Sequence, residues 1–409
     1  MTHAALSLGL VVVALAACTS APLSPVAPPD ASHARDASLV VDAAAVDAAV
    51  ADAVVEDAAA VDATARDGGL AHDGAPPDAT SLDRCRAGTI ADCAYDPGVD
   101  YGARPPVTLS LSYDDASGAE RTFEIAVHRP EGAPSPSPVV VWSHGGADGI
   151  ARVLAVGDEW ARAFTSAGYV FIAIAHIGRD NPSRSALCAA IGVADAGCAT
   201  FKYLSWDRPH DLDRVLDWLE DPASVSAGSV DLTRIAYAGH SAGAGGAMVV
   251  AGAGREIGDT LRFLADERPR AFIACSPQGP GDDGFVDASF DAISRPTLTL
   301  SGVGDDTDVV AENRRVPFER MMSGDKYLGW ITDESARHTT FDLELGGCER
   351  YAADTALDPA RCTMFRPWLL SAALAFLDAE LREDAIARDY LASDALEILS
   401  SGVMEWTAR

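Results

Sequence analysis

The chain has 409 residues, a net charge of −30, and 48% hydrophobic against 22% charged residues. So negative a charge argues against nucleic acid as a partner, because the phosphates would repel the protein. The length would suffice for two or three domains, but the first fifth of the chain has a composition unlike that of a folded domain. We therefore expect one folded domain, over residues 85–409.

An apolar segment near the amino terminus predicts export. Residues 4–17 are too short a run to span a bilayer stably, but they match the apolar region of a secretory signal peptide, assigned to residues 1–17. Leu15-Ala16-Ala17-Cys18 resembles the lipobox of bacterial lipoproteins, which implies cleavage before Cys18 and lipid attachment to it. We expect anchoring to a bacterial membrane, in the periplasm or at the cell surface. Because Met1-Thr2-His3 has no lysine or arginine, a plain signal peptide with an incidental cysteine is the alternative.

Residues 18–84 have the composition of a tether. Ala, Asp, Val and Pro dominate, and residues 19–84 contain twelve acidic and three basic side chains, a net charge of −9 that leaves −21 on the rest of the chain. Aspartates recur every five residues from Asp42 to Asp67, a period that spreads them around a helix rather than along one face. Such a segment is too poor in large apolar side chains to bury a core. It predicts a disordered, acidic linker, with a purely solubilising segment as the alternative.

Six of the seven cysteines after Cys18 form three pairs that are close in sequence. An exported protein can keep such pairs as disulfides, and short loops close most easily. Six cysteines allow fifteen connectivities, so local pairing is a hypothesis: Cys85 with Cys93, Cys188 with Cys198, and Cys348 with Cys362. Cys275 lies in an apolar run and is expected to be a buried free thiol.

Strand-length apolar runs alternate with helical patterns through the domain. Residues 107–113 and 121–128 alternate in polarity like an antiparallel pair. Further runs are almost continuously apolar, as expected of strands that helices cover on both faces: 139–143, 169–175, 235–238, 271–275, 297–300 and 327–331. The predicted helices are 157–167, 207–220, 241–254, 256–266, 311–322 and 365–382. This alternation predicts an α/β fold with a doubly wound, mostly parallel sheet of eight strands.

The pentapeptide Gly239-His240-Ser241-Ala242-Gly243 is the most informative motif. It lies between a predicted strand and a predicted helix, the context that a nucleophile elbow requires. A tight strand-to-helix turn strains the serine backbone, and glycines two residues away on each side avoid clashes. Doubly wound sheets bind substrates beyond the carboxyl ends of their strands, where Ser241 falls. Ser241 is therefore the candidate nucleophile.

A serine nucleophile needs a base, and the base needs an acid that fixes its tautomer. Only two histidines follow residue 210. His240 lies inside the motif and is expected to point away from Ser241, which leaves His338, in the loop after the last predicted strand, as the candidate base.

The acid is expected between the serine and the histidine in chain order. The strand 297–300 leads into a loop with aspartates at 305, 306 and 308. Asp305, three residues after a glycine, and Asp306 are the two candidates, and Asp308 is a weaker one. The cluster could instead bind a cation, but it lacks the terminal bidentate glutamate of a calcium loop, so no metal is expected.

Negative charge that develops on a substrate carbonyl oxygen requires hydrogen-bond donors that already point at it. The backbone N–H of Ala242, at the predicted start of a helix, is one candidate donor. The glycine-rich turn after the strand 139–143 is expected to supply the second, and we assign it to the N–H of Gly146.

Elbow, glycine-rich turn and triad order together make residues 105–385 similar to the α/β-hydrolase superfamily. Ser143-His144-Gly145-Gly146, the pentapeptide and Ser276-Pro277-Gln278-Gly279 resemble the branch that holds dienelactone hydrolases, platelet-activating-factor acetylhydrolases and polyester-degrading cutinases. The resemblance implies a serine esterase that cleaves small-molecule or polymeric carboxylic esters without a metal or organic cofactor. Peptidase or thioesterase activity stays open within this fold. The alternative of another class is a catalytically inactive hydrolase fold that serves as a tethered binding module.

Overall fold

A computed structural model describes residues 81–146, 159–198, 201–257, 260–307, 309–343 and 359–409. The predicted signal peptide, the lipidated Cys18, the tether up to residue 80, Asp308 and the pairing of Cys348 with Cys362 lie outside the described residues. No helix in the described ranges is long and apolar enough to cross a membrane.

The described chain contains thirteen strands and ten α-helices. The strands are β1 Gly102–Ala103, β2 Val107–Asp114, β3 Glu120–His128, β4 Pro130–Glu131, β5 Ser137–Ser143, β6 Val170–Ala175, β7 Val230–His240, β8 Gly254–Ile257, β9 Thr260–Phe263, β10 Ala271–Cys275, β11 Thr297–Gly302, β12 Lys326–Ile331 and β13 Met404–Ala408. The helices are α1 Ser81–Ala87, α2 Glu159–Ser166, α3 Asn181–Ile191, α4 Asp195–Cys198, α5 Leu204–Glu220, α6 Ala242–Ala251, α7 Val316–Arg320, α8 Pro359–Leu381, α9 Ala385–Leu391 and α10 Ala395–Leu399.

The fold is α/β, with a mostly parallel central sheet of nine strands in the order β2-β3-β6-β5-β7-β10-β11-β12-β13. The six strands from β6 to β12 in this order are mutually parallel, and the antiparallel pairings lie toward the two edges. All eight predicted strands are present. The count of eight is wrong by one, because β13 returns from the carboxyl terminus and pairs antiparallel to β12.

Two apolar cores lie on opposite faces of this sheet. Along β5, Val139 and Val141 point into one core, while Val140 and Trp142 point into the other, as the two-residue period of a strand requires. Helices α5 and α6 contribute to the first core, and α2 and α8 to the second. Burial on both faces explains why the central strands are almost continuously apolar.

One predicted helix is wrong. The segment 256–266 forms most of the antiparallel hairpin β8–β9 instead. Gly254 is required there, because a Cβ at this position would lie 2.7 Å from the Leu261 side chain across the hairpin. In the sequence, Gly258-Asp259 separates the two strands, and this dipeptide is typical of tight hairpin turns. It therefore favours a hairpin over a helix for this segment.

Two of the three predicted disulfides are confirmed. Cys85 is bonded to Cys93 and Cys188 to Cys198, while Cys275 is a buried free thiol as expected. The Cys85–Cys93 loop is held against the domain, since the hydroxyl of Tyr390 donates to the carbonyl of Cys93 at 2.8 Å. The amino-terminal end of the described chain is thus fixed to the carboxyl-terminal helices.

The order of the strands places a topological switch point at the centre of the sheet. The chain leaves β5 for β6 on one side and then returns to β7 on the other side of β5, before continuing outward to β10. Crevices of open α/β sheets form where neighbouring strands send their connections in opposite directions. The turns after β5 and β7 therefore meet at such a crevice.

Candidate active site

Ser241 occupies the turn between β7 and α6. Its backbone has φ 53° and ψ −120°, and non-glycine residues avoid positive φ values. Its N–H donates to the carbonyl of Cys275 at 2.9 Å, so the next strand holds the turn in place. Strain of this kind persists only where the surroundings impose it. The side chain is partly exposed at the carboxyl edge of the sheet.

The two glycines of the motif are required because the chain is crowded on both sides of Ser241. A Cβ on Gly243 would lie 1.9 Å from the carbonyl oxygen of Ser143, and one on Gly239 would lie 2.7 Å from the same oxygen and 2.6 Å from the Gly243 backbone. Any side chain at either position would therefore collide with backbone. The structure thus agrees with the expectation that glycines two residues on each side of Ser241 avoid steric clashes.

His338 and Asp305 meet beyond the ends of β12 and β11. His338 Nδ1 lies 2.9 Å from Asp305 Oδ1, and the Asp305 side chain is fully buried. Because a carboxylate oxygen can only accept, Nδ1 carries the proton in this contact, which is the tautomer that places the lone pair of a neutral imidazole on Nε2. The structure brings Asp305, and not Asp306, to the histidine: Asp306 Oδ1 accepts the N–H of Ala311 at 2.9 Å and caps a short 3₁₀ turn.

Three further residues, which the sequence analysis did not identify, surround this pair. Ser276, at the end of β10 and with φ 54°, places Oγ 2.6 Å from His338 Nδ1. Ser301 donates its hydroxyl to Asp305 Oδ2 at 2.7 Å. The buried Arg314 donates to the carbonyls of Asp305 and Ser276 at 2.8 and 3.0 Å. The position of the two serines in the sequence could have indicated them, since both lie at or beside the carboxyl ends of parallel strands, where sites of such sheets form.

His240 contacts the candidate base. Its Nε2 donates to the backbone carbonyl of His338 at 2.9 Å, and the two rings lie 4.6 Å apart. The sequence predicts only that His240 points away from Ser241 and is not the base. In the structure it ties the His338 loop to the end of β7.

Ser241 and His338 lie at the same sheet edge, but their side chains form no hydrogen bond with each other in the described part of the chain. Contacts of this kind are often long in unliganded proteins and shorten when a ligand binds.

The glycine-rich turn after β5 lies directly beside Ser241. A Cβ on Gly145 would be 3.3 Å from Ser241 Cβ and 2.7 Å from His240 Nδ1. Gly146 has φ 72°, which favours glycine. Ala242 is the first residue of α6, where backbone N–H groups have no partner within the helix. Gly145, the residue before Gly146, thus lies beside Ser241, and Ala242 follows Ser241 directly.

A second Ser-His-Asp array lies beneath this turn and is wholly buried. Ser143 Oγ is 2.8 Å from His176 Nε2, and His176 Nδ1 is 2.8 Å from Asp211 Oδ2. Burial, together with the charge of Arg208, lowers the pKa of His176 to about 4, although Asp211 favours its protonated form. His176 is thus neutral at pH 7. We refer to Ser143, His176 and Asp211 as the buried relay.

Comparison of the sequence with models of protein families and with curated proteins finds no match. The site is therefore interpreted from its own geometry.

Gly243→Ala tests the close approach of α6 to β5. Because the added methyl group would overlap the Ser143 carbonyl, we expect α6 and β5 to be forced apart and the free energy of unfolding to fall by about 3 kcal/mol or more. Urea denaturation measures this loss. Gly197→Ala is the matched control, since its Cβ would lie 3.6 Å from the Val193 side chain, an ordinary contact. Equal stabilities of the two variants would contradict the steric argument.

His176→Gln tests the buried neutral histidine. The unfolded chain takes up a proton on His176 as the pH falls through about 6.5, whereas the folded chain takes it up only near pH 4. The stability contributed by His176 is therefore complete above pH 6.5 and is lost as the pH falls toward 4. Between pH 7 and pH 4.5, wild type should lose about 2 to 3 kcal/mol more than the variant. Urea midpoints at both pH values measure the difference, and parallel losses would show that His176 is not buried in the neutral form.

Proposed function

We propose that this chain is a serine hydrolase with an α/β-hydrolase fold, and that it cleaves carboxylic esters through an acyl-enzyme intermediate. One observation carries the proposal. Ser241 lies on a strained strand-to-helix turn at the same sheet edge as a histidine whose Nδ1 is bound by a buried aspartate. Serine, aspartate and histidine follow one another in the chain order of this superfamily. The resemblance of the sequence motifs to esterases supports an ester as the substrate class.

In the proposed reaction, His338 is the general base. Its Nε2 lone pair takes the hydroxyl proton of Ser241 while Oγ attacks the ester carbonyl carbon. Asp305 holds the ring in the required tautomer and stabilises the imidazolium that forms. Ser276 and His240 fix the ring and backbone of His338.

The tetrahedral intermediate carries its negative charge on the former carbonyl oxygen. The N–H groups of Gly146 and Ala242 donate to this oxygen, and the amino terminus of α6 adds its partial positive charge. Collapse breaks the bond to the alcohol, which His338 protonates as it leaves. Water, deprotonated by His338, then attacks the acyl-enzyme and releases the acid and free Ser241.

We further propose that the enzyme is exported and anchored to a bacterial membrane through lipid on Cys18. Two disulfides in the described chain support an oxidising compartment. The predicted signal peptide and the lipobox-like Leu15-Ala16-Ala17-Cys18 support the anchor.

The alternative is an inactive hydrolase fold that serves as a tethered binding module. The lack of a hydrogen bond between the side chains of Ser241 and His338, among the residues that the structure describes, is the observation that favours it. The following experiment separates the two functions.

A fluorophosphonate should phosphonylate Ser241, since this reagent reacts with a serine activated by a base. We expect intact-protein mass to increase by one adduct in wild type and in Ser183→Ala, which removes an exposed hydroxyl that donates to Asp180, the N-cap of α3. Ser241→Ala should give no adduct, and peptide mapping should locate the label on Ser241. A wild-type protein that stays unlabelled and does not hydrolyse p-nitrophenyl esters would support the binding module instead.

Asp305→Asn and Asp306→Asn form a matched pair. Asn at 305 cannot hold the Nδ1–H tautomer of His338, so kcat for a p-nitrophenyl ester should fall by about 10⁴. Asp306→Asn keeps an oxygen that can accept the N–H of Ala311, so it should leave kcat within about threefold of wild type and change stability by less than about 1 kcal/mol. A larger loss of kcat at 306 than at 305 would reverse the assignment of the acid.

A further inference from the structure

Arg208, in the second turn of α5, binds the backbone of the glycine-rich turn beside Ser241. The side chain is fully buried, and its guanidinium contacts no carboxylate among the residues that the structure describes. Instead it donates to the carbonyls of His144 and Gly146, the latter at 2.5 Å, and to Ser143 Oγ at 2.8 Å. A buried charge used in this way is costly unless its hydrogen bonds are well formed. Burial lowers the pKa of Arg208 to about 10, so it is charged at pH 7.

These hydrogen bonds fix the direction of the N–H groups in the turn. A trans peptide is planar, and its C=O and N–H point in opposite directions. Arg208 holds the carbonyls of His144 and Gly146, while His144 Nδ1 lies 2.7 Å from the intervening carbonyl of Gly145. That last peptide carries the N–H of Gly146. The peptides of the His144 and Gly145 carbonyls are therefore held by those carbonyl groups, which turns the N–H groups of Gly145 and Gly146 away from these contacts.

The buried relay fixes Arg208 in turn. Ser143 Oγ accepts from Arg208 and donates to His176 Nε2, because neutral His176 uses its Nδ1–H for Asp211. Asp211 is held by Arg121, whose Nε and second guanidinium nitrogen donate to its two oxygens at 2.7 and 2.8 Å. In this chain of hydrogen bonds, each group donates to one neighbour or accepts from the other in a single consistent arrangement.

Arg208 also contacts the helix that carries the serine. A Cβ on Gly246 of α6 would lie 3.3 Å from Arg208 Cβ. The stem of Arg208 thus packs against α6, and its guanidinium binds the turn after β5.

We propose that Arg208, aligned by the buried relay, is a positioning residue for the oxyanion hole: it orients the turn that supplies the Gly146 N–H. This inference rests on the proposed serine hydrolase function. It predicts that changes at Arg208 act on stabilisation of the tetrahedral oxyanion, and only weakly on ground-state binding of the ester.

The test compares a p-nitrophenyl ester with the matching thionoester, in which sulfur replaces the carbonyl oxygen. Sulfur is larger and a weaker hydrogen-bond acceptor, so a thionoester gains little from the oxyanion donors. We expect Arg208→Gln to lower kcat for the ester by about 10², the usual effect of losing one oxyanion donor, with KM within about threefold. The thionoester rate should fall far less, so the ester-to-thionoester ratio of kcat/KM should fall at least about tenfold.

Two milder variants test the inference in case Arg208→Gln does not fold. Arg208→Lys keeps the charge and one or two hydrogen bonds and should recover part of the ratio. Ser143→Ala removes only the hydroxyl that joins Arg208 to His176 and should lower the ratio several-fold. Arg320→Gln, which breaks a surface ion pair with Asp291, is the matched control and should keep the wild-type ratio. Thermal unfolding of each variant separates loss of stability from loss of rate.

The outcomes are distinguishable. A ratio that falls in Arg208→Gln and Ser143→Ala and partly returns in Arg208→Lys supports the inference. Equal losses on both substrates, or an unchanged ratio in folded Ser143→Ala and Arg208→Lys, would overturn it while leaving the esterase intact. A wild-type protein without Ser241-dependent hydrolysis would overturn the proposed function and the inference together.

Discussion

The contact between the carbonyl oxygen of Ser143 and the backbone of Gly243 sets the geometry of the candidate site. It joins the last residue of β5 to the first turn of α6, with no room for a side chain between them. The turn after β5 and the turn after β7 are consequently adjacent, as the position of Gly145 against Ser241 shows. Without this approach, the two proposed sources of oxyanion donors would belong to separate parts of the sheet edge.

The candidate base, His338, follows a strand that is not adjacent to the strand before Ser241. Four neighbouring parallel strands, β7, β10, β11 and β12, lead into the segments that carry Ser241, Ser276, Asp305 and His338 respectively. Adjacent strands are about 4.8 Å apart, so β12 lies roughly 14 Å from β7. The loop after β12 must therefore return across β11 and β10. Asp305 and Ser276 contact the ring of His338 from those intervening strands, and His240 binds its backbone from β7 itself.

Much of this architecture could be predicted from local sequence. The central strands were identified because burial on both faces makes them continuously apolar, and the elbow because its glycines relieve clashes that the turn itself creates. Features that depend on long-range pairing were missed. The hairpin β8–β9 was assigned as a helix, and β13 was overlooked, because an edge strand such as Met404–Ala408 is stabilised by its partner rather than by its own pattern.

The same limit applies to the site. Asp305 and Asp306 are adjacent in sequence and equal in chemistry, and only the fold decides which of them faces His338. The role of His240 depends on a residue 98 positions later. The relay brings together Ser143, His176 and Asp211 from β5, the segment after β6, and α5, and no local spacing indicates such a contact.

The two Ser-His-Asp arrays show why residue types and distances do not by themselves define a nucleophile. Ser143 has the shorter contact to its histidine, yet it lies in a regular strand, is fully buried, and accepts a hydrogen bond from Arg208. Donation from a cation lowers the electron density on its oxygen, and burial excludes a substrate. Ser241 lies on a strained turn at the open sheet edge, beside backbone N–H groups. Access and the surrounding donors, rather than the triad contacts themselves, support Ser241 as the proposed nucleophile and Ser143 as a structural residue.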